Sequence, residues 1–253
     1  MKLAFTFVLI FLYSRSFSSS LKMSISTKVT RNVKRIFCYG DSLTAGTSPP
    51  FFELHPYGPH LEQSLQETES TTTTTVNQNN FSVQWFGLPG WTASSMVDNR
   101  NAQEGLQYHL NRQIQNSRKP DLTIILAGTN DLAYQPSTDS NPTNILNSII
   151  CLHKISHDLN VPTLAVGIPP SGWQAQSSHA RKLATDINLG LKDYCDSIRD
   201  NQATFIEFPI STFTREPLND LNNVWAPDGL HFSPHGYQVM GKGFTNAVLD
   251  ILK

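Results

Sequence analysis

One apolar segment limits the folds open to this chain more than any other feature. The segment Leu122-Thr123-Ile124-Ile125-Leu126-Ala127 is nearly continuous in apolar residues and shows no alternation of apolar and polar positions. A strand of this kind is covered by helices on both faces, which is the environment of a central strand in a parallel sheet. Four further segments are predicted as strands: 33–38, 81–88, 162–168 and 203–208.

Segments with helical periodicity separate these strands. Residues 105–117, for example, place Leu106, Leu110 and Ile114 on one face at fourfold spacing. The other predicted helices cover residues 58–67, 92–99, 144–159, 177–200 and 234–252. Alternating strands and helices at these intervals predict an α/β fold, a three-layer α/β/α sandwich with right-handed crossovers. Because no linker interrupts the pattern, we expect one domain over residues 33–253.

The charge distribution excludes one class of partner. Residues 1–40 contain seven basic and no acidic residues, which leaves 12 basic and 20 acidic residues in the remainder of the chain. An acidic protein surface without a row of Lys and Arg side chains does not bind the phosphate backbone of a nucleic acid. We therefore expect no nucleic-acid partner.

The basic N-terminal segment has the pattern of a targeting sequence. Lys2 precedes an apolar segment of eleven residues, 3–13, and a serine-rich stretch follows. The apolar run is too short to span a bilayer, so residues 1–20 are interpreted as a secretory signal peptide or other targeting segment, and no stable membrane span is expected. The alternatives are an uncleaved anchor, organelle import after signal removal, and translation from Met23, which would leave the protein in the cytoplasm.

Two other features concern the body of the chain. Residues 67–80 contain five consecutive threonines and are predicted to be a polar surface insertion without helical period.

The cysteines Cys38, Cys151 and Cys195 are too widely spaced for a disulfide framework or a metal-ligand cluster. Cys38 is expected to be a small core residue.

Small and polar residues follow the first three predicted strands. These strands end in Gly40-Asp41-Ser42, Pro89-Gly90 and Gly128-Thr129-Asn130-Asp131. At the carboxyl edge of a parallel sheet they would offer a hydroxyl, an unobstructed backbone amide and a side-chain amide, the groups that acyl transfer requires. Each segment has an ordinary alternative as well, since glycine, aspartate and serine form turns and Asn130-Asp131 can cap a helix.

A candidate general base lies near the other end of the chain. In Pro227-Asp228-Gly229-Leu230-His231, an aspartate precedes a histidine by three residues just before the last predicted helix. On a tight loop the Asp228 carboxylate can hold one imidazole nitrogen and leave the other facing outward, as a Ser-His-Asp triad needs. The seven other histidines lack an acidic neighbour at this spacing.

Together, four blocks resemble the SGNH, or GDSL-type, serine esterase and lipase superfamily. They are Gly40-Asp41-Ser42-Leu43, the glycine in Leu88-Pro89-Gly90-Trp91, Gly128-Thr129-Asn130-Asp131 and Asp228-Gly229-Leu230-His231. The resemblance implies a flavodoxin-like, five-stranded parallel sheet and hydrolysis of esters or thioesters without a metal or organic cofactor. The chain departs from the pattern at Pro89 and Trp91, where members often carry small residues, and a bulky Trp91 would narrow an acyl pocket.

These observations predict a serine hydrolase acting on a small-molecule ester or acyl substrate. Ser42 is the predicted nucleophile, His231 the base and Asp228 the residue that orients it. The predicted oxyanion hole consists of the Ser42 and Gly90 amides and the Asn130 side chain. An acyltransferase using the same acyl-enzyme remains an alternative, as does a catalytically silent binding protein, although all the catalytic positions are filled.

Overall fold

The computed structural model describes residues 33–50, 53–72, 80–133, 141–198, 202–214 and 223–253. The predicted targeting segment, residues 1–20, and most of the threonine-rich stretch lie outside the described residues. Within the described ranges, no helix combines the length and the apolar character needed to cross a membrane.

A five-stranded parallel sheet forms the centre of the fold and confirms the predicted class. Two short antiparallel strands, β2 (Thr47–Ser48) and β3 (Glu53–Leu54), form a separate hairpin. The strands of the main sheet are β1 (Val33–Asp41), β4 (Asn80–Leu88), β5 (Leu122–Leu126), β6 (Thr163–Val166) and β7 (Ala203–Ile206). Their order, β4-β1-β5-β6-β7, is the flavodoxin-like order. The second strand of the sheet along the chain, β4, lies on one side of β1, and the three later strands lie on the other side.

Helices cover both faces of this sheet. The described helices are α1 (Ser42–Ala45), α2 (Gly58–Thr72), α3 (Ala93–Asp98), α4 (Leu106–Gln115), α5 (Thr129–Ala133), α6 (Pro142–His157), α7 (Gly172–Gln176), α8 (Ser178–Ser197), α9 (Pro234–Gly243) and α10 (Thr245–Leu252). Residues of α3, α4, α6 and α8 pack into one apolar cluster, and residues of α2, α9 and α10 pack into a second.

The alternation of side chains along the strands separates these two clusters. Phe37 and Ile125 belong to the cluster on one face, while Ile36 and Ile124 belong to the cluster on the other. All five residues of β5 are buried, as the continuous apolar run predicted for a central strand. Cys38 is fully buried in the second cluster, which confirms its prediction as a core residue.

Several helices differ in their bounds from the predictions, and two of the differences are large. Helix α2 continues to Thr72, so the prediction of a loop from residue 67 is wrong for residues 67–72. In this extension Ser70 Oγ donates to the Gln66 carbonyl at 2.7 Å, and Gln66 Nε2 ties the helix to the Phe81 carbonyl at 3.1 Å.

The last predicted helix, 234–252, is divided at Phe244 into α9 and α10. Glycine occurs twice just before the division, at Gly241 and Gly243, and glycine weakens a helix interior. A side chain at Gly243 would meet the Pro209 Cβ atom at 2.4 Å, so close packing also requires a glycine there.

Candidate active site

Ser42 lies where β1 passes directly into the short helix α1. Asp41 is the N-cap of this helix, and its Oδ1 accepts a 2.9 Å hydrogen bond from the Leu43 amide. Gly46 ends the helix at φ 82°, and its amide donates to the Ser42 carbonyl at 2.9 Å. A Cβ atom on Gly46 would lie 2.2 Å from the His55 carbonyl carbon. The turn that carries Ser42 is therefore fixed by a cap at one end and an obligatory glycine at the other.

His231 lies on a tight loop that immediately precedes α9. Trp225 and Phe232 form an antiparallel bridge at the base of the loop, and the Ala226 amide donates to the His231 carbonyl at 2.9 Å. Gly229 adopts φ 68°, and its amide donates to the Ala226 carbonyl at 3.0 Å. The left-handed conformation at Gly229 is one that other residues adopt at a cost, so the glycine between Asp228 and His231 has a conformational role.

Three side chains meet in a continuous line of hydrogen bonds. The distance between His231 Nε2 and Ser42 Oγ is 2.9 Å, and the distance between His231 Nδ1 and Asp228 Oδ2 is 2.6 Å. Asp228 Oδ1 accepts from the amides of Leu230 and His231, at 3.0 Å each. Because an ionised carboxylate only accepts, the proton of the neutral imidazole lies on Nδ1 and leaves Nε2 to accept from the serine.

The surroundings of Asp228 favour its ionised form. Burial raises the pKa of this carboxyl group, but hydrogen bonds from the His231 side chain and from the Leu230 and His231 amides outweigh burial and hold the pKa below its usual value. Asp228 is therefore an anion at neutral pH, hydrogen-bonded to Nδ1 of the ring that becomes positively charged when Nε2 takes a second proton.

The loop that follows β4 contains Gly90. This residue adopts φ 81°, and a Cβ atom on it would find nothing within 4 Å, so its backbone borders open space. The Trp91 amide donates to the Leu88 carbonyl at 3.1 Å, which closes the turn. Asn130 Nδ2 donates to the Trp91 carbonyl at 2.9 Å. The Asn130 side-chain amide has two N–H groups, so the bond to Trp91 fixes its orientation and uses one of them.

Strand register explains why these loops share one edge of the sheet. Asp41 is level with Leu88 of β4, and Gly40 is level with Leu126 of β5. The segments that follow the three strands therefore begin at the same height. The structure joins Ser42, His231 and Asp228 by direct hydrogen bonds. It places Gly90 on the loop after β4 and Asn130 in the first turn of α5, at the same edge of the sheet.

The sequence predicted Asp41 as a turn residue and did not reveal that its carboxyl group is buried. Asp41 is fully buried, and its Oδ2 has no hydrogen-bond partner among the described residues. Burial raises its pKa to about 7, although the Leu43 amide and the charge of His231 act in the opposite direction. The signal in the sequence was an acidic residue at the end of an apolar strand, next to the predicted nucleophile.

No candidate metal centre occurs in the part of the chain that the structure describes. There, no group of three or more His, Cys, Asp or Glu side chains could hold a metal ion.

Comparison with known families identifies the type of protein. A family model for GDSL-like lipases and acylhydrolases matches residues 38–239. The chain belongs to this family. The GDSL-like chain is accordingly a carboxylic ester hydrolase by class. A search of curated proteins found no match.

Solved structures resemble the GDSL-like chain over most of its length. A carbohydrate acetylesterase family member from Sinorhizobium meliloti is 18% identical, covers 87% of this chain and 99% of its own, and has a TM-score of 0.60. The psychrotrophic esterase EstA from a Pseudoalteromonas species is 16% identical, with 87% and 98% coverage and a TM-score of 0.56. A GDSL-like lipase from Bacteroides thetaiotaomicron is 17% identical, with 86% and 88% coverage and a TM-score of 0.53. At these identities the comparisons establish the shared fold.

Proposed function

We propose that the protein hydrolyses carboxylic esters or thioesters through an acyl-enzyme on Ser42. The observation that carries this proposal is the line of hydrogen bonds from Asp228 through His231 to Ser42, at 2.6 Å and 2.9 Å. A serine hydroxyl is a weak nucleophile at neutral pH, and a general base within hydrogen-bond reach activates it.

In the proposed mechanism, Ser42 Oγ attacks the substrate carbonyl carbon while its proton passes to His231 Nε2. His231 then returns this proton to the leaving alcohol or thiol, and the acyl group stays on Ser42. Water then attacks the acyl-enzyme while its proton passes to His231 Nε2. His231 returns this proton to Ser42 Oγ, and the carboxylic acid is released. Asp228 orients the imidazole and stabilises its charged form without taking a proton.

The negative oxygen of the tetrahedral intermediate needs hydrogen-bond donors that are already in position. We assign this role to the Ser42 amide, the Gly90 amide and Asn130 Nδ2. Support comes from the open space beside Gly90 and from the hydrogen bond of Asn130 to the Trp91 carbonyl at 2.9 Å, which holds the side-chain amide in one orientation.

Covalent labelling with a fluorophosphonate, followed by mass spectrometry of the peptides, tests the proposal. The reagent phosphonylates activated serines, so we expect one adduct, on Ser42, and no adduct in Ser42→Ala. An adduct on a different serine, or no adduct in a folded protein that hydrolyses 4-nitrophenyl acetate, would contradict the assignment. If added alcohol diverts the acyl group into a new ester, the enzyme acts as an acyltransferase.

A further inference from the structure

Asp131, the residue next to Asn130, has a buried carboxyl group that the proposed mechanism does not use. It lies in the first turn of α5 and is 5% exposed. Its Oδ2 accepts a 2.9 Å hydrogen bond from the Ala93 amide, in a buried position. Burial raises the pKa of Asp131, and the Ala93 amide acts in the opposite direction. The bond joins residues 38 positions apart and attaches α5 to the start of α3.

The Ala93 amide depends on this bond. Ala93 is the first residue of α3, and the first N–H groups of a helix have no partner within the helix. The N-cap residue, Thr92, uses its hydroxyl oxygen to accept from the Ser95 amide at 3.2 Å. A buried N–H without an acceptor is costly, so Asp131 holds the start of α3 against α5.

Two consecutive side chains of α5 therefore hold the segment that follows β4. Asn130 Nδ2 donates to the Trp91 carbonyl at 2.9 Å. Two residues further along the chain, the Ala93 amide donates to Asp131. Gly90 immediately precedes the first of these attachment points, and its other neighbour in the chain leads back to β4. The Gly90 backbone is thus held between the sheet on one side and α5 on the other.

Resting on the proposed function, we infer that Asp131 is a positioning residue of the oxyanion hole, which holds the Gly90 amide where it meets the negative oxygen together with Asn130. Such donors act at about 2.7–3.1 Å from the oxygen, and a displacement of about 1 Å can cost roughly 10²-fold in rate. The role requires an acceptor for the Ala93 N–H and no charge. Asparagine should therefore replace Asp131, because its carbonyl oxygen also accepts, and alanine should not.

The kinetic test measures kcat for 4-nitrophenyl acetate per Ser42 that a fluorophosphonate labels at completion. In Asp131→Ala we expect this kcat to fall by about 10–100-fold with little change in KM, as for an interaction that acts in the transition state. Asp131→Asn should keep kcat within about threefold of wild type. Because only molecules with a labelled Ser42 are counted, a role in folding alone would leave this value unchanged.

Asp121→Ala is the matched control. Asp121 Oδ2 accepts from the Arg35 amide at 2.7 Å, so the substitution removes a bond of the same kind. Asp121 directly precedes β5 and Arg35 lies near the start of β1, at the edge of the sheet opposite to Ser42. The control should leave kcat per labelled site unchanged.

Hydrogen exchange measured by mass spectrometry tests the loop without catalysis. Peptides that contain residues 90–93 should exchange faster in Asp131→Ala than in wild type or in Asp131→Asn, because the attachment of α3 to α5 is lost. If Asp131→Ala does not fold, the double variant Asp131→Ala with Ala93→Pro replaces it in both measurements. Proline suits the first position of a helix and has no N–H to leave unsatisfied.

Four results would overturn the inference: unchanged kcat per labelled site in the variant without the bond, unchanged exchange in that variant, an equal loss in Asp131→Asn, or an equal loss in Asp121→Ala. Labelling of wild type on Ser42 would in each case leave the hydrolase proposal standing. A folded wild type without that label would overturn both.

Discussion

At the scale of single residues, Asp41 is the least expected feature of the site. It caps the helix that begins with Ser42, yet its carboxyl group is fully buried and its Oδ2 has no partner among the described residues. Burial raises its pKa to about 7, and the positive charge of His231 lowers that pKa. Since the coupling is reciprocal, an ionised Asp41 stabilises the imidazolium that forms during proton transfer.

Asp41→Asn should therefore raise the stability of the protein at pH 8 and lower its turnover. A folded-state pKa above the unfolded value of 3.8 means that folding favours the protonated acid, so Asp41 reduces stability increasingly as pH rises from about 4 to about 7. Asparagine also caps helices. We expect the variant to resist urea better than wild type at pH 8, while its kcat at pH 8 falls by roughly threefold to tenfold, because the imidazolium loses a charge interaction of about 1 kcal/mol.

Urea unfolding and steady-state kinetics at pH 5.5 and pH 8 check this prediction. At pH 5.5 the stability advantage of the variant should be smaller than at pH 8, because the penalty for burying Asp41 develops progressively between about pH 4 and pH 7. A variant that is less stable than wild type at pH 8, or equally fast, would contradict the buried and ionisable role given to Asp41.

Asn130 is predicted to act through its side-chain amide. Asn130→Ala should lower kcat by about 10²–10³, the typical cost of one oxyanion donor. The same substitution removes the hydrogen bond to the Trp91 carbonyl and so loosens the Gly90 loop. Ser42→Ala should fall further, because it loses the covalent route. Hydrolysis of 4-nitrophenyl acetate by both variants provides the measurement, and a loss below about tenfold in Asn130→Ala would remove Asn130 from the proposed hole.

The sequence was sufficient to nominate Ser42, His231 and Asp228, because each occurs in a local pattern of residue types and spacing. It was not sufficient for the environment of Asp41. The complete burial of Asp41 depends on packing between segments that are distant in the sequence.

At the scale of elements, the two glycines with nearly equal backbone angles provide a controlled comparison. Gly46 has φ 82° and Gly90 has φ 81°, so alanine carries a similar conformational penalty at each, about 1–2 kcal/mol. A Cβ atom at Gly46 would also lie 2.2 Å from the His55 carbonyl carbon, whereas one at Gly90 would meet nothing within 4 Å.

We expect Gly46→Ala to lower the free energy of unfolding by more than about 4 kcal/mol and Gly90→Ala to lower it by about 1–2 kcal/mol. Urea unfolding followed by circular dichroism measures both values. Equal losses in the free energy of unfolding would mean that the positive φ angle accounts for both values. The chain near His55 would then be able to move and make room for a Cβ atom at Gly46.

Prediction of the elements succeeded where apolar periodicity was strong and failed where hydrogen bonds decided the outcome. The buried strand β5 was evident from its composition. The end of α2 was not, because its last residues are polar and show no apolar period. Ser70 Oγ donates to the Gln66 carbonyl there. The short helix α7 was also missed, since five residues are too few to show a period.

At the scale of the whole molecule, a buried histidine, His153, should make the fold sensitive to acid. His153 is fully buried, and its Nδ1 lies 2.8 Å from Thr163 Oγ1, which also lies 2.9 Å from His157 Nε2. Burial, together with a smaller contribution from the charge of His157, lowers the pKa of His153 to about 3. Because the folded value is below the unfolded value of 6.5, the stabilisation is complete above pH 6.5 and is lost as pH falls toward 3.

His153→Gln should reduce this loss of stability. In wild type we expect the free energy of unfolding to fall by up to about 1.4 kcal/mol for each pH unit below 6 for this group alone. The variant should show a shallower decline. His179→Gln is the control, since His179 is exposed on α8. Urea unfolding at pH 7, 6, 5 and 4.5 provides the slopes, and equal slopes for the two variants would exclude His153 as the cause.

The hydrogen bond between His231 and Ser42 joins residues that are 189 positions apart. At synthesis rates of about 5–20 residues per second, the ribosome needs roughly 10–40 s to proceed from the serine to the histidine. During that interval a nascent chain carries an alcohol no more reactive than any other serine. Under the proposed mechanism, turnover in a sample therefore reports molecules in which these two distant segments have come together.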